Sequence, residues 1–132
     1  MKLVTRETDY ALRAICFIAK NKCKRIRTLQ IEKELGIPRS FLRKILQILN
    51  KKKILISCKG IGGGFSLSDS AKNLTLAELM EVFQGPLHLN ECLFKKTKCP
   101  DISKCPLRKK IANIEKYIIK ELNSITLSSL LK

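Results

Sequence analysis

TLQIEKELGIPRSFLRKILQILNK, residues 28–51, holds two helical patterns separated by a short break. In the first, Ile31 and Leu35 share a face, and Gly36 supplies a stop because glycine readily takes the left-handed conformation that closes a helix. In the second, Pro38 stands near the start, where its missing N–H costs nothing. Phe41, Leu42, Ile45, Leu46 and Leu49 then recur at helical spacing on one side. Two helices joined by a turn of about three residues containing glycine make a helix-turn-helix pattern. The opposite side of the second helix carries Arg39, Arg43 and Gln47, flanked by Ser40 and Lys44. All are cations or hydrogen-bond donors and none is acidic. A helix face that meets only water normally mixes signs, so this one predicts a polyanionic partner, with a solvated face as the competing reading.

Downstream, an Ile54–Ile56 run rich in β-branched residues and a second run over Phe65–Leu67 flank a turn holding Gly60, Gly62, Gly63 and Gly64. A hairpin that follows a recognition helix is a wing. Its glycines let the backbone approach phosphates, and Lys59 adds a cation at the entrance. GIGGGF does not fit a nucleotide loop: it lacks the Gly-Lys-Ser/Thr ending of a P-loop and places Phe65 where a dinucleotide fingerprint needs its last small residue.

Upstream, TDYALRAICFIAK puts Ala11, Leu12, Ile15, Ile18 and Ala19 on one helical face. Beyond the hairpin, Thr75 and Glu78 form a capping box that opens a helix with Leu76, Leu79, Met80 and Phe83 as its stripe, and Gly85 and Pro86 close it. The last long helix carries Leu107, Ile111, Ile114, Ile118, Leu122 and Ile125 at steps of three and four. Set after a compact head, it has little core of its own to bury against, and pairing with a second copy resolves this. Capping its own domain is the competing reading.

The chain is mainly α with a small β-hairpin wing: a winged helix-turn-helix head plus a long C-terminal dimerisation helix. At 132 residues it is one domain overall. Residues 1–86 form the DNA-binding region, 87–105 a cysteine-bearing loop, and 106–132 the dimerisation helix and tail. The 27 Lys and Arg against 11 Asp and Glu, net +16, fall mostly before Gly60, which assigns polyanion binding to the N-terminal half. An anionic membrane would also attract this charge, but the apolar run Ala14–Ala19 is too short to span a bilayer. Glu7, Asp9 and Arg13 interrupt any apolar leader, so a cytoplasmic protein with no membrane role is expected. One histidine, no paired acids and no nucleophile with a nearby base argue against an enzyme.

Six cysteines would suit a disulfide framework in a secreted chain, but without a leader they divide into classes. Cys16 lies in an apolar helical stripe and reads as core, whereas Cys23 and Cys58 are isolated. Cys92, Cys99 and Cys105 gather in ECLFKKTKCPDISKCPLR, residues 91–108, with six and then five residues between them. Thiolates are soft ligands for zinc or iron–sulfur clusters. Structural zinc favours tighter pairs, while these wider gaps suit a loop wrapped around something larger. Lys95, Lys96, Lys98 and Lys104 surround the thiols and would offset the negative charge of a cluster.

Taken in order, TDYALRA, LGIPRSFLRKIL, KGIGGGFSL, LTLAELMEVFQGPL, the three spaced cysteines and NSITLSSLL resemble the IscR, NsrR and RirA family of bacterial iron–sulfur-dependent winged-helix transcriptional regulators over nearly the whole length. The resemblance implies a repressor that acts as a homodimer on palindromic double-stranded operator DNA and senses iron, redox state or nitric oxide. It implies a cluster on Cys92, Cys99 and Cys105, with four-iron four-sulfur favoured over two-iron two-sulfur. DNA-binding positions carried over are Thr28, Arg39, Ser40, Arg43, Lys44 and Gln47, with Lys59, Gly62 and Gly63 at the wing.

The fourth ligand varies within that family. The histidine that follows the last cysteine in the IscR branch is Arg108 here, and a guanidinium has no lone pair to give. The NsrR branch instead uses a helix-1 aspartate of the second subunit, whose Thr-Asp-x-Ala-Leu-Arg context matches Thr8–Arg13 and points to Asp9. His88 and a solvent ligand are the other candidates. The alternative function is a clusterless thiol- or zinc-based regulator controlled by a protein partner.

Overall fold

A computed structural model describes residues 2–21, 25–89 and 104–131. Helix α1 is Arg6–Lys20, α2 Thr28–Leu35 and α3 Arg39–Lys51. Strands β1, Leu55–Cys58, and β2, Gly64–Leu67, form the hairpin, and a 3-10 turn over Asp69–Asn73 leads to α4, Leu76–Gln84. Helices α5, Pro106–Ser124, and α6, Leu127–Leu130, complete the order.

The helix ends follow local chemistry. Thr5 caps α1 by accepting the Thr8 N–H at 3.4 Å. Gly36 closes α2 at φ 65°, its N–H donating to the Glu32 carbonyl. At α4 the expected capping box is present: Thr75 Oγ1 accepts the Glu78 N–H at 3.2 Å, and Glu78 Oε2 accepts the Thr75 N–H at 3.0 Å. Pro38 is the N-cap of α3, one residue before the helix, and its carbonyl accepts the Leu42 N–H.

The core lies where α1, α2, α3 and the hairpin converge. Ala11, Ile15, Ile18, Ile31, Leu42, Ile45, Leu46 and Leu49 are all buried there, joined by Leu55, Leu79 and Leu127. Phe41 corrects the expected stripe of α3, since it is 38% exposed and meets Tyr10 edge-on with centroids 6.1 Å apart. The five apolar positions span a wider arc than the neighbouring helices cover, and Phe41 sits at its edge. Cys16 packs against the core as expected. Burial pushes its thiol above its ordinary value, with Lys20 partly offsetting the shift.

The hairpin begins one residue later than the β-branched run because Ile54 is committed to closing α3. Its N–H donates to the Leu49 carbonyl and that of Lys53 to Asn50, the Schellman pattern. Lys53 therefore occupies the left-handed position, at φ 61°, that usually belongs to glycine. Lys53→Gly is expected to raise unfolding stability by about 1 kcal/mol; urea titration with unchanged slope checks this. Antiparallel pairing runs Leu55 with Leu67 through Cys58 with Gly64. Ile26 adds a third, single-residue rung through two hydrogen bonds with Phe65 at 2.8 and 2.9 Å. Gly64 is required there: a Cβ would stand 2.7 Å from the Ile26 carbonyl oxygen.

Helix α5 packs against α4 and is buried most completely near its C-terminal end. Leu122 is buried, the Thr75–Thr126 bridge ties the α5–α6 turn to α4, and Ser128 Oγ donates to the Lys72 carbonyl at 2.8 Å. Toward its start, Leu107, Ile114 and Tyr117 are 53–65% exposed. The expected helix exists; its own protomer half-buries Ile111 and Ile118 but leaves Leu107, Ile114 and Tyr117 outward.

Candidate nucleic-acid interface

Burying Leu42, Ile45, Leu46 and Leu49 turns the other side of α3 outward, so Arg39, Ser40, Arg43, Lys44 and Gln47 are all exposed. The wing stands beside this helix. Between them runs an open groove of about 460 Å³ lined by Gln47, Thr28, Arg27, Lys59 and Gly60 among others. Thr28, Gln47 and Lys59, drawn from three separate stretches of sequence, thus share one concave surface. Lys51, Lys52 and Lys53 are exposed at the end of α3. The surface offers donors and positive charge on a rigid helix, as major-groove reading with phosphate anchoring requires.

Two expected positions have a structural partner. Arg39 Nε lies 3.5 Å from Glu32 Oε2 across the turn between α2 and α3. Glu32 Oε2 is buried and accepts no hydrogen bond from the described residues, among which the guanidinium compensates it by charge. Gly63 is buried beneath the wing tip, where a Cβ would collide with the Cys58 carbonyl oxygen; its N–H donates to the Gly60 carbonyl at 2.9 Å. Gly62 and Lys59 are exposed at the tip and its entrance. Arg27, outside the helical pattern, joins the groove without having been anticipated; only its place just before α2 hinted at it.

Of the cluster cysteines, Cys92 and Cys99 lie outside the described residues. Cys105 is half-buried at the N-cap of α5, and its side chain makes no capping hydrogen bond. Asp9 sits on the first turns of α1, partly exposed, with Oδ2 3.0 Å from Arg13 Nε. His88, the other candidate ligand, faces Glu115 of α5 with Nδ1 3.7 Å from Oε1, while the Leu89 N–H donates to the same oxygen at 3.0 Å. Among the described residues no three His, Cys, Asp or Glu side chains are grouped for a metal.

Sequence reading missed Gln84, which joins the two regions. Its Oε1 accepts from the Thr5 N–H at 3.1 Å and from Thr8 Oγ1 at 2.9 Å, and its Nε2 donates to the Leu3 carbonyl at 2.9 Å. All the donors and acceptors converge on the start of α1, the last of them on Thr8 beside Asp9. The end of α4, which leads into the cysteine loop, is thereby fastened to the head.

A family model described as Rrf2, iron-dependent transcriptional regulator, matches residues 4–132. The chain is similar to an HTH-type transcriptional regulator of Aquifex aeolicus, 33% identical over 97 residues that cover 74% of this chain and 67% of the relative. It is also similar to the HTH-type transcriptional regulator NsrR of Oceanobacillus iheyensis, 28% identical over 127 residues, 95% of this chain and 86% of that one. In fold it matches CymR, the global cysteine regulator of B. subtilis, with a TM-score of 0.81 at 20% identity, covering 99% and 97% of the two chains. No helix among the described residues is long and apolar enough to cross a membrane. The recognition helix, the wing and the order of elements agree with these matches, and the chain belongs to the Rrf2 family of DNA-binding transcriptional regulators.

Proposed function

We propose that this regulator is a homodimeric, cytoplasmic repressor whose binding to a palindromic operator is controlled by an iron–sulfur cluster on Cys92, Cys99 and Cys105, completed by Asp9 of the partner subunit. The observation that carries the reading is the continuous connection from the cysteine loop to the DNA-binding head. Cys105 opens α5. Glu115 of α5 receives the Leu89 N–H shortly after the end of α4. Gln84 then fastens α4 to α1, and α1 packs against α3.

The donor set suits the group. Cys105 has a side chain free of capping duty, Asp9 has a partly exposed carboxylate, and three thiolates with one oxygen donor match a cluster with one weaker ligand. When bound, such a cluster supplies an iron site open to oxygen, nitric oxide or iron loss. The protein's part is mechanical: a change in the loop's hold on Cys105 shifts the start of α5 and, through Glu115 and Gln84, the seating of α1. Asp9 as a ligand must exchange its Arg13 partner, which ties the same helix to the loop of the other protomer.

Dimerisation is supported by α5. Leu107, Ile114 and Tyr117 follow at steps of seven and three, an a/d-type stripe, and all are exposed in the single protomer. Pairing these helices by a two-fold axis duplicates the heads, so that the two α3 helices enter successive major grooves about 34 Å apart.

Anaerobic purification tests the cofactor: brown colour, visible absorbance and matching iron and sulfide counts are expected, whereas a colourless or zinc-containing protein supports the thiol- or zinc-based alternative. Arg43→Ala tests the reading helix. Discrimination between operator and random DNA is expected to fall by about 1–3 kcal/mol, and equal weakening on both would reduce Arg43 to a phosphate contact.

A further inference from the structure

The wing ends in a residue that the fold does not use. Ile61 is fully exposed, and no other large apolar side chain among the described residues is as exposed. It buries nothing, so it adds no hydrophobic stability. Isoleucine is also unsuited to a tight turn, where Gly, Asn, Asp and Pro are favoured for their backbone preferences.

The backbone around it is nevertheless built with care. Gly60 and Gly62 take φ of 93° and 75°, and the Gly63 N–H closes the turn onto the Gly60 carbonyl at 2.9 Å. Gly63 leaves no room for a Cβ. The glycines make the tip thin and fix its path, and the side chain held out at its apex is stiff at χ1. Little entropy is lost when such a group is pressed against a surface. Lys59 lies two residues before it, and the half of the hairpin next to the tip lines the groove shared with Gln47 and Thr28.

A thin cationic hairpin with a single apolar apex fits the minor groove of DNA, which is about 6 Å wide and which DNA-binding proteins contact with apolar wedges. There an isoleucine discriminates by omission. G·C pairs present the guanine N2 amino donor on the groove floor, which an alkyl group leaves unpaired on contact, whereas A·T pairs present only weakly projecting acceptors. We propose that Ile61 is a specificity-determining residue that presses on the minor-groove floor beside each half-site and selects A·T pairs there. The inference rests on the reading of α3 and the wing as a DNA-binding surface.

The test is selection of a random-sequence duplex library by the full-length, anaerobically purified protein, as wild type, Ile61→Ala and Ile61→Val, with the bound pools sequenced. Because Ile61 is fully exposed, both variants keep the wild-type melting temperature. The wild type is expected to return paired half-sites flanked by A·T. Ile61→Ala returns the same half-sites without the flanking bias and binds the wild-type duplex about tenfold more weakly, with affinity for random DNA unchanged. Ile61→Val retains most of the bias. An Ile61→Ala pool with the flanking bias intact and affinity within about twofold of wild type overturns the inference alone. A wild type that enriches no sequence overturns it together with the DNA-binding reading.

Discussion

Raising monovalent salt from about 50 to 200 mM is expected to weaken DNA binding by roughly a thousandfold or more, provided that each of two heads neutralises at least about three phosphates. The prediction follows from the distribution of charge rather than its total. Arg39, Arg43 and Lys44 on α3, Lys51–Lys53 at its end and Lys59 on the wing are all exposed, and no Asp or Glu interrupts α3. Each phosphate they neutralise releases a counterion, and the log–log slope counts them at about −0.9 apiece. Titration of a labelled duplex across salt concentrations measures the slope directly. A slope shallower than about −2 would mean that this face does not lie along the DNA backbone.

Leu42→Ala is the second large effect. Its side chain is completely buried between α3 and the rest of the head, in a cluster with Ile31, Ile45 and Leu46. Truncation removes the transfer free energy and leaves a cavity that the surrounding helices close only in part, at a cost of about 3 kcal/mol. Since one side of α3 faces the core and the other faces DNA, the same substitution loosens the platform on which Arg43 and Gln47 are held. Urea unfolding is expected to show the stability loss. DNA binding measured well below the new midpoint should fall less than it does for Arg43→Ala on the selected duplex, because Leu42 reaches no base.

The parts of this fold legible in the sequence are those set by a few neighbouring residues. Gly36 and Gly85 end their helices and Thr75 with Glu78 opens one, because capping chemistry acts within one turn of chain. The donor face of α3 was legible for the same reason, through a 3.6-residue period. What escaped is long-range or aperiodic. Gln84 meets Thr5 and Thr8 across 79 and 76 residues, and an ordinary glutamine at a helix end carries no local sign of that contact. Ile26 pairs with Phe65 through one rung, too short to have a period. Phe41 has the right spacing for the core yet lies at its rim, since periodicity gives a direction but not the width of the surface that covers it. Lys53 fills a glycine's conformation because closure of α3 fixes the backbone whatever the side chain.

The cysteines divide along the same line. Cys16 was readable as core because it shares a helical stripe. Cys92 and Cys99 of the proposed ligand set lie outside the described residues, and the proposed role of Asp9 depends on a second protomer and so on geometry no single chain displays.

In the proposed mechanism the state of the cysteine loop sets the affinity of the head for DNA. The most direct test is to titrate one selected operator duplex, at matched salt and without oxygen, with cluster-loaded protein, with the same protein after cluster removal, and with Asp9→Ala. Loaded and stripped protein are expected to differ by about tenfold or more, within the usual range of allosteric coupling, and Asp9→Ala should lose most of that difference. Identical affinities for the loaded and stripped forms would contradict the account.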